Sequence, residues 1–357
     1  MHEMRKILVF LLAMIVIFSI AEPLKVALLL NGRLGDKSFL DSAGRGLEMA
    51  VEELGIQGKV IEANYNPANW RPYLEDISDQ DYDVIIVGTW QMQEILEEVA
   101  PMHPEKKYFI FDASVDYNKS KLDNVYSMIY KQNEGSFLAG ALAALITTSG
   151  IPKTNPEPVI GFLGGVDIPV INDFLVGYIE GAKYVNPEIK VLISYVGSFN
   201  DPAKGKEISL AMYRHGADII FNVAANTGIG LLEAAKEVDR WVIGVDSDQA
   251  LMYESTDPEI SNHIVTSMMK NVDNSIFRGL KLHLQGKLGY GQVESLGIAE
   301  GGVGIADNKY YRQIVPEHLR SEIAQIEKKI ISGEIKVGTV FEMSQEELNQ
   351  LRASVKP

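Results

Sequence analysis

"KVALLLNG" at residues 25–32 and "PVIGFLGG" at residues 158–165 are short apolar runs, each ending in turn residues and each followed by a stretch of helical spacing. Runs rich in Val, Ile, Leu and Phe and bounded by Gly read as strands buried on both faces. The pair is not isolated. "KVIEANY" from 59 is matched by "KVLISYV" from 190, "DVIIVGT" from 83 by "DIIFNVA" from 218, and "KYFIFDASVD" from 107 by "RWVIGVDSDQ" from 240. The offsets are 133, 131, 135 and 133 residues, far longer than a solenoid repeat. A spacing this constant describes two copies of one α/β lobe, each a parallel sheet covered by helices. Chance likeness among buried strands is the competing reading, and the near-constant offset weighs against it.

Strand-like runs give way to helix or Gly-rich turn near "IYKQNEG" at 129, "VTSMMKN" at 265 and "ESLGIAEGG" at 294, the expected crossings between the lobes. The corresponding division is residues 22–131 with 270–293 for lobe 1, and 132–269 with 294–357 for lobe 2. Lobes joined in this way close about a hinge and trap a ligand between them.

The N-terminal "MHEMRKILVFLLAMIVIFSIAEP" sets Arg5 and Lys6 before an apolar block that ends in Ser19-Ile20-Ala21. Such a pattern is a secretory signal peptide over residues 1–21. A retained anchor is the alternative, but the block is shorter than the ~20 residues a membrane span needs. The chain has no cysteine, and so no disulfide and no lipid-attachment site. A periplasmic or otherwise extracytoplasmic protein is expected, not lipidated and not stably inserted in the membrane after cleavage. Its formal charge is −15, and loss of Glu3, Arg5 and Lys6 takes it to −16. Nucleic acid is a poor partner for such a body, because that binding rests on Lys and Arg neutralising phosphates.

Catalytic signatures are missing from the sequence: there is no G-x-x-x-x-G-K-[ST] loop, no H-E-x-x-H and no G-x-S-x-G. The six histidines, His2, His103, His215, His263, His283 and His318, have no metal-ligand spacing, so neither metal nor cofactor is expected. "NTGIG" at 226 reads as a turn with Thr227 as a helix cap, its backbone N–H groups still open to a ligand oxygen.

Ligands of open parallel sheets sit beyond the carboxyl ends of the strands. That rule selects Asn31 to Phe39, Thr89, Trp90, Asp112, Gly164 to Asp167, Phe199, Ala224 to Thr227 and Asp246. Asp112 and Asp246 end equivalent runs, and a carboxylate there must be hydrogen-bonded to offset its desolvation. Local backbone N–H groups are one set of partners. The vicinal hydroxyls of a sugar are another, since an ionised carboxylate accepts from two O–H groups at once. Phe39 and Phe199 flank the expected cleft, either as core residues or as two faces holding a planar ring. Lys270 closes "IVTSMMK" as a solvated charge, a donor to ribose oxygens or a partner of Asp246. Asp36 or Ser38 is expected to cap the helix that Phe39 begins. The tail "VPEHLRSEIAQIEKKIISGEIKVG" from 315 is expected to pack on lobe 2 with no chemistry attached.

"GDKSFLDSAGRG" from 35, "FLAGALAA" from 137, "VIGFLGGVDIPVINDFLVGYIEGAK" from 159, "GSFNDPAKGK" from 197, "GADIIFNVAANTGIG" from 216 and "IGVDSDQ" from 243 with "TSMMK" from 266 together resemble the BMP family. These are the basic membrane protein or PnrA-like substrate-binding proteins of ABC transporters, many of which bind purine nucleosides. The similarity runs in order through residues 24–305. It implies a type I periplasmic-binding-protein fold, two Rossmann-like lobes with parallel sheets joined by a three-crossing hinge. It also implies a small-molecule ligand, a nucleoside and by preference a purine one, delivered to the permease subunits of an importer.

Carried over by resemblance, Phe39 and Phe199 sandwich the base and Asp112 bonds its edge. Asp246 and Lys270 hold the ribose hydroxyls, with the backbone near Ala225 helping and Asn31 and Ser38 close by. Asp36 is then a cap rather than a ligand contact. Two features depart from the family: Leu40 stands where members often have Asn, and the lipoprotein cysteine is missing. Alternatives are the same receptor holding riboflavin or a sugar, with Trp90 and Phe174 enlarging the aromatic surface, and a sensor that presents the closed form to a signalling partner. A nucleoside hydrolase using Asp36, Asp41 or Asp112 is disfavoured, because such enzymes cluster their carboxylates around a metal or an activated water.

Overall fold

The computed structural model describes residues 22–119 and 121–357; the expected signal peptide lies outside the described residues. The chain opens with β1 (Lys25–Leu30), α1 (Phe39–Leu54), β2 (Gln57–Glu62), α2 (Pro67–Ser78), β3 (Val84–Gly88) and α3 (Trp90–Val99). β4 (Lys107–Phe111), β5 (Val125–Tyr130) and α4 (Gln132–Thr147) follow. The second half repeats the alternation with β6 (Val159–Gly164), α5 (Pro169–Val185), β7 (Lys190–Tyr195), α6 (Pro202–Arg214), β8 (Ile219–Val223) and α7 (Ile229–Val238). Next come β9 (Trp241–Asp246), the short helices α8 (Gln249–Tyr253) and α9 (Pro258–Ser261), and β10 (Ile264–Lys270). α10 (Val272–Leu284), β11 (Gln292–Leu296), β12 (Val303–Ile305), α11 (Lys309–Ile314), α12 (Glu317–Ile331) and α13 (Gln345–Ser354) complete the chain.

Among the described residues the strands form two six-stranded sheets, ordered β2-β1-β3-β4-β5-β11 and β7-β6-β8-β9-β10-β12. The two orders are equivalent strand for strand, which is the expected duplication. It extends to a fifth pair, β5 and β10, in which "VYSM" from 125 is matched by "VTSM" from 265. One difference separates the copies: β11 pairs parallel with β5, whereas β12 runs antiparallel to β10. β1 shows why these runs are apolar throughout. Val26, Leu28 and Leu30 feed one buried cluster while Ala27 and Leu29 feed another, as a sheet with helices on both faces requires.

The chain changes sheets at Lys131, at Asn271 and between β11 and β12, so the three-crossing hinge is present. Hydrogen bonding assigns each strand whole to one sheet, which corrects two details of the expected division. The boundary at 293/294 falls inside β11, a strand of the first sheet, and Lys270, assigned to lobe 1, ends β10 in the second.

In each copy the helix that follows the fifth strand packs on the other lobe. α4 lies against α5 so closely that a Cβ on Gly140 would stand 2.0 Å from the Tyr178 carbonyl oxygen, and one on Gly181 1.9 Å from that of Phe137. α10 lies against α1 in the same manner, a Cβ on Gly46 meeting the Asp273 carbonyl oxygen at 2.7 Å. Among the described residues no helix is long and apolar enough to cross a membrane.

Candidate ligand-binding cleft

The carboxyl ends of both sheets face a common cavity of about 180 Å³. Asn31, Phe39, Trp90, Asp112, Phe174, Phe199, Ala225, Asp246 and Lys270 all line it. Ser38 does not line it, but its Oγ donates to Asp246 Oδ2 at 2.6 Å from the opposite lobe.

Phe39 is placed by the turn before it. Asp36, buried, accepts from the backbone N–H groups of Ser38 at 3.0 Å, Leu40 at 2.9 Å and Asp41 at 3.1 Å, and so caps the start of α1 as expected. Burial pushes the Asp36 carboxyl up to about 6 despite these bonds. The Phe39 ring packs on Phe111 with centroids 5.5 Å apart. Leu40, the departure from the family pattern, contributes an apolar patch to the cavity wall.

Phe199 is held by a different device. Thr227 accepts from Asp201 N at 2.8 Å and donates to the Ser198 carbonyl at 3.0 Å, while its own N–H donates to the Phe199 carbonyl at 3.1 Å. Thr227 therefore ties the Phe199 loop to the 3-10 turn Ala225–Gly228 instead of capping a helix, a correction that follows from its hydroxyl facing the loop. Gly165 makes room for the ring, since a Cβ there would lie 2.4 Å from it.

Lys270 departs from the pairing expected for it. Its side chain is 2% exposed, and Nζ donates to Asp112 Oδ1 at 2.7 Å, not to Asp246. Aromatic rings surround the ammonium, with centroids 4.8 Å away for Phe174, 5.5 Å for Tyr130 and 5.6 Å for Phe39, an arrangement that favours a cation once its charge is paired. Asp246 is left with Ser38 as its bonded partner. Burial pushes its carboxyl up to about 6, with Lys270 and Ser38 pulling it down and Asp36 and Asp112 pushing it further up. The site thus holds three carboxylates around one ammonium.

Backbone strain gathers at the same place. Asp112, Asp246 and Ala225 have φ of 59°, 63° and 48°, and Thr89 has φ 71° with ψ 157°. Non-glycine residues persist in such conformations where the surroundings over-determine them, commonly at ligand sites. In both lobes the strand-ending Asp is turned out of the sheet direction by this kink.

Asn31 Nδ2 donates to Thr89 Oγ1 at 2.9 Å and to Gln91 Oε1 at 2.8 Å, a polar cluster within the first lobe in which Gln91 is a lining residue the sequence reading does not single out. Tyr65 and Trp70 line the cavity from "NYNPANW", just beyond β2. The strand-end rule applied to β2 would have found them. Ile168, Val170 and Ile171, beyond β6, complete an apolar wall with Phe174. Trp90, 55% exposed, stands at the first position of α3. Among the described residues no group of His, Asp or Glu side chains converges as a metal site.

A family model described as ABC transporter substrate-binding protein PnrA-like matches residues 24–339. Basic membrane protein A2 of Borrelia garinii subsp. bavariensis is 34% identical over 87% of this chain and 87% of its own length. The ABC transporter nucleoside-binding protein BmpA of Lactococcus lactis subsp. cremoris is 32% identical over 89% of this chain and 90% of its own. A crystal structure of an ABC transporter solute-binding protein from Aeropyrum pernix K1 superposes with a TM-score of 0.81 at 28% identity, covering 93% of this chain and 98% of that one.

Proposed function

Because the chain belongs to the PnrA-like family of ABC transporter substrate-binding proteins, we propose that it is a non-enzymatic receptor that captures a purine nucleoside between its lobes and hands it to a permease on the outer face of the membrane. The observation that carries this reading is the make-up of the cavity: Phe39 and Phe199 line it from opposite lobes together with Asp112, Asp246 and Lys270. An aromatic pair suits a flat base, and base-on-aromatic stacking is worth about 1–3 kcal/mol. The carboxylates suit hydroxyl donors, each charge-assisted bond contributing roughly 1.5–3 kcal/mol.

In this reading the Ser38–Asp246 bond joins the lobes across the cleft, and ribose hydroxyls donate to Asp246 in the complex. Asp112 keeps one oxygen free of Lys270 for the base edge. The relative from Lactococcus that bears the name nucleoside-binding supports the ligand class. Residues 1–21 direct export and are removed, leaving a receptor free of lipid.

Calorimetric titration of refolded, ligand-free mature protein with adenosine, guanosine, inosine, uridine, ribose and riboflavin tests the proposal. Micromolar or tighter binding of a purine nucleoside, about −8 kcal/mol or better, with ribose silent is the expected result. Binding of riboflavin or a free sugar in place of every nucleoside would overturn the ligand class, and release of free base from inosine would overturn the receptor role.

A further inference from the structure

The two walls of the cavity are built differently. In the first lobe the loop after β1 holds itself, for Asp36 and Asp41 together accept five backbone N–H groups of residues 35–41. The loop after β6 is shorter, four residues against the eight between β1 and α1. Its local side-chain bond runs from Asn172 Nδ2 to Asp167 Oδ1 at 2.8 Å, and among the described residues no carboxylate there accepts a backbone N–H and no side chain caps α5 at Ile168. Yet Ile168, Val170, Ile171 and Phe174 of that loop and first turn form the apolar wall of the cavity.

Its further support comes from the far end of the chain. Arg352 Nη2 donates to Asp167 Oδ1 at 2.8 Å, Asn172 Oδ1 at 2.7 Å and Tyr195 Oη at 2.9 Å, and the Tyr195 hydroxyl donates to Asn172 Oδ1 at 2.6 Å. Asp173, 1% exposed and next to Phe174, accepts from Thr339 Oγ1 at 2.6 Å and Val340 N at 3.0 Å, and from Gln132 Nε2 beside the first crossing at 2.6 Å. The tail is itself anchored. Gly338 N donates to Glu180 at 2.8 Å, the Val355 carbonyl accepts from Val191 N at 2.8 Å on the edge strand β7, and α13 begins with a full capping box at Ser344 and Glu347. Residues 340–357 lie beyond the stretch the family model matches.

We propose that the C-terminal segment 337–355 is a brace that positions the 168–174 wall of the ligand cavity, with Arg352 and Asp173 as its positioning residues. This inference rests on the cavity being the ligand site. A wall that drifts by an ångström costs affinity even though no tail residue touches the ligand, because binding groups must be held in place by what supports them.

The test is amide hydrogen exchange and inosine titration on the full chain carrying Arg352→Met, Arg352→Lys or Thr339→Val. In ligand-free Arg352→Met, amides of residues 168–176 are expected to exchange about 10-fold faster or more, with those of β1 and α1 unchanged. Inosine should bind about 10-fold more weakly, mainly through faster dissociation. Arg352→Lys should recover most of both effects by keeping the charge on Asp167, and Thr339→Val should give a smaller change in the same direction. Unchanged exchange at 168–176, or acceleration spread evenly over both lobes, overturns the brace. Should Arg352→Met not fold, the exchange of Thr339→Val decides by the same criterion. Should the wild type bind no nucleoside, the ligand reading falls, while the exchange comparison still decides the brace.

Discussion

Lys270 Nζ lies 2.7 Å from Asp112 Oδ1, so the last residue of β10 is bonded to the residue following β4 in the other lobe. Lys270 is buried and Asp112 largely so, and Lys270 is the sole ammonium facing Asp36, Asp112 and Asp246 among the residues that line the cavity. Removing one partner of a buried pair costs about 3–5 kcal/mol, whereas replacing both by apolar groups is near neutral. Lys270→Met is therefore expected to lower stability to urea at pH 7 by that amount and to abolish nucleoside binding. Lys270→Met combined with Asp112→Asn, a neutral side chain that tolerates the φ of 59° at this position, should recover most of the stability and none of the binding. Equal stability of the single and double variants would refute the pairing.

Phe199 and Phe39 separate stacking from folding. Phe199 sits in a loop against Gly165, so Phe199→Ala should weaken purine nucleoside binding by about 1–3 kcal/mol, roughly 5- to 150-fold, with little change in the unfolding midpoint. Phe39→Ala should weaken binding similarly and also lower stability, because it removes the contact with Phe111. Calorimetry paired with thermal unfolding reads both. A Phe199→Ala protein that binds as tightly as wild type would remove this ring from the ligand site.

Asp246 gives the ligand-free protein a pH signature. Its carboxyl is pushed up to about 6 in the folded state, against about 3.9 when unfolded. Between those values the folded state carries the extra proton, so this residue's contribution to stability falls as pH rises from about 4 to about 6, by about 1.4 kcal/mol per unit. Above 6 both states are ionised and the contribution is flat. Asp246→Asn should then exceed wild-type stability at pH 7 by up to about 3 kcal/mol and converge with it near pH 4. Nucleoside affinity runs the other way, strengthening as pH rises through 6, because ribose hydroxyls donate to the ionised form. Urea titrations and calorimetry across pH 4.5–7.5 check the two slopes. A stability difference independent of pH would contradict the raised carboxyl.

Much of the site was legible because its location depends on strand ends alone. Asp112, Asp246, Asn31 and Trp90 follow apolar runs that any reader can mark, and all reach the cavity. Their partners were not legible. Lys270 pairs with Asp112 rather than Asp246, and Ser38 with Asp246, because those contacts depend on how two sheets face each other, which no local pattern records. Thr227 was misread for a related reason: a Thr before a helix looks like a cap, but a loop 26 residues earlier in the chain competes for its hydroxyl. Arg352 is 185 residues from Asp167, in the last helix, beyond the 315–338 stretch whose spacing reads as helical.

The exchange of α4 and α10 between halves has a consequence for how the molecule comes apart. α4 is buried at almost every position, yet its cover belongs to the other lobe. A fragment ending at residue 147 would expose that helix and lack the one that shields α1. Neither half is then a self-sufficient folding unit, and the expected outcome in calorimetry is one transition for both lobes instead of one after the other.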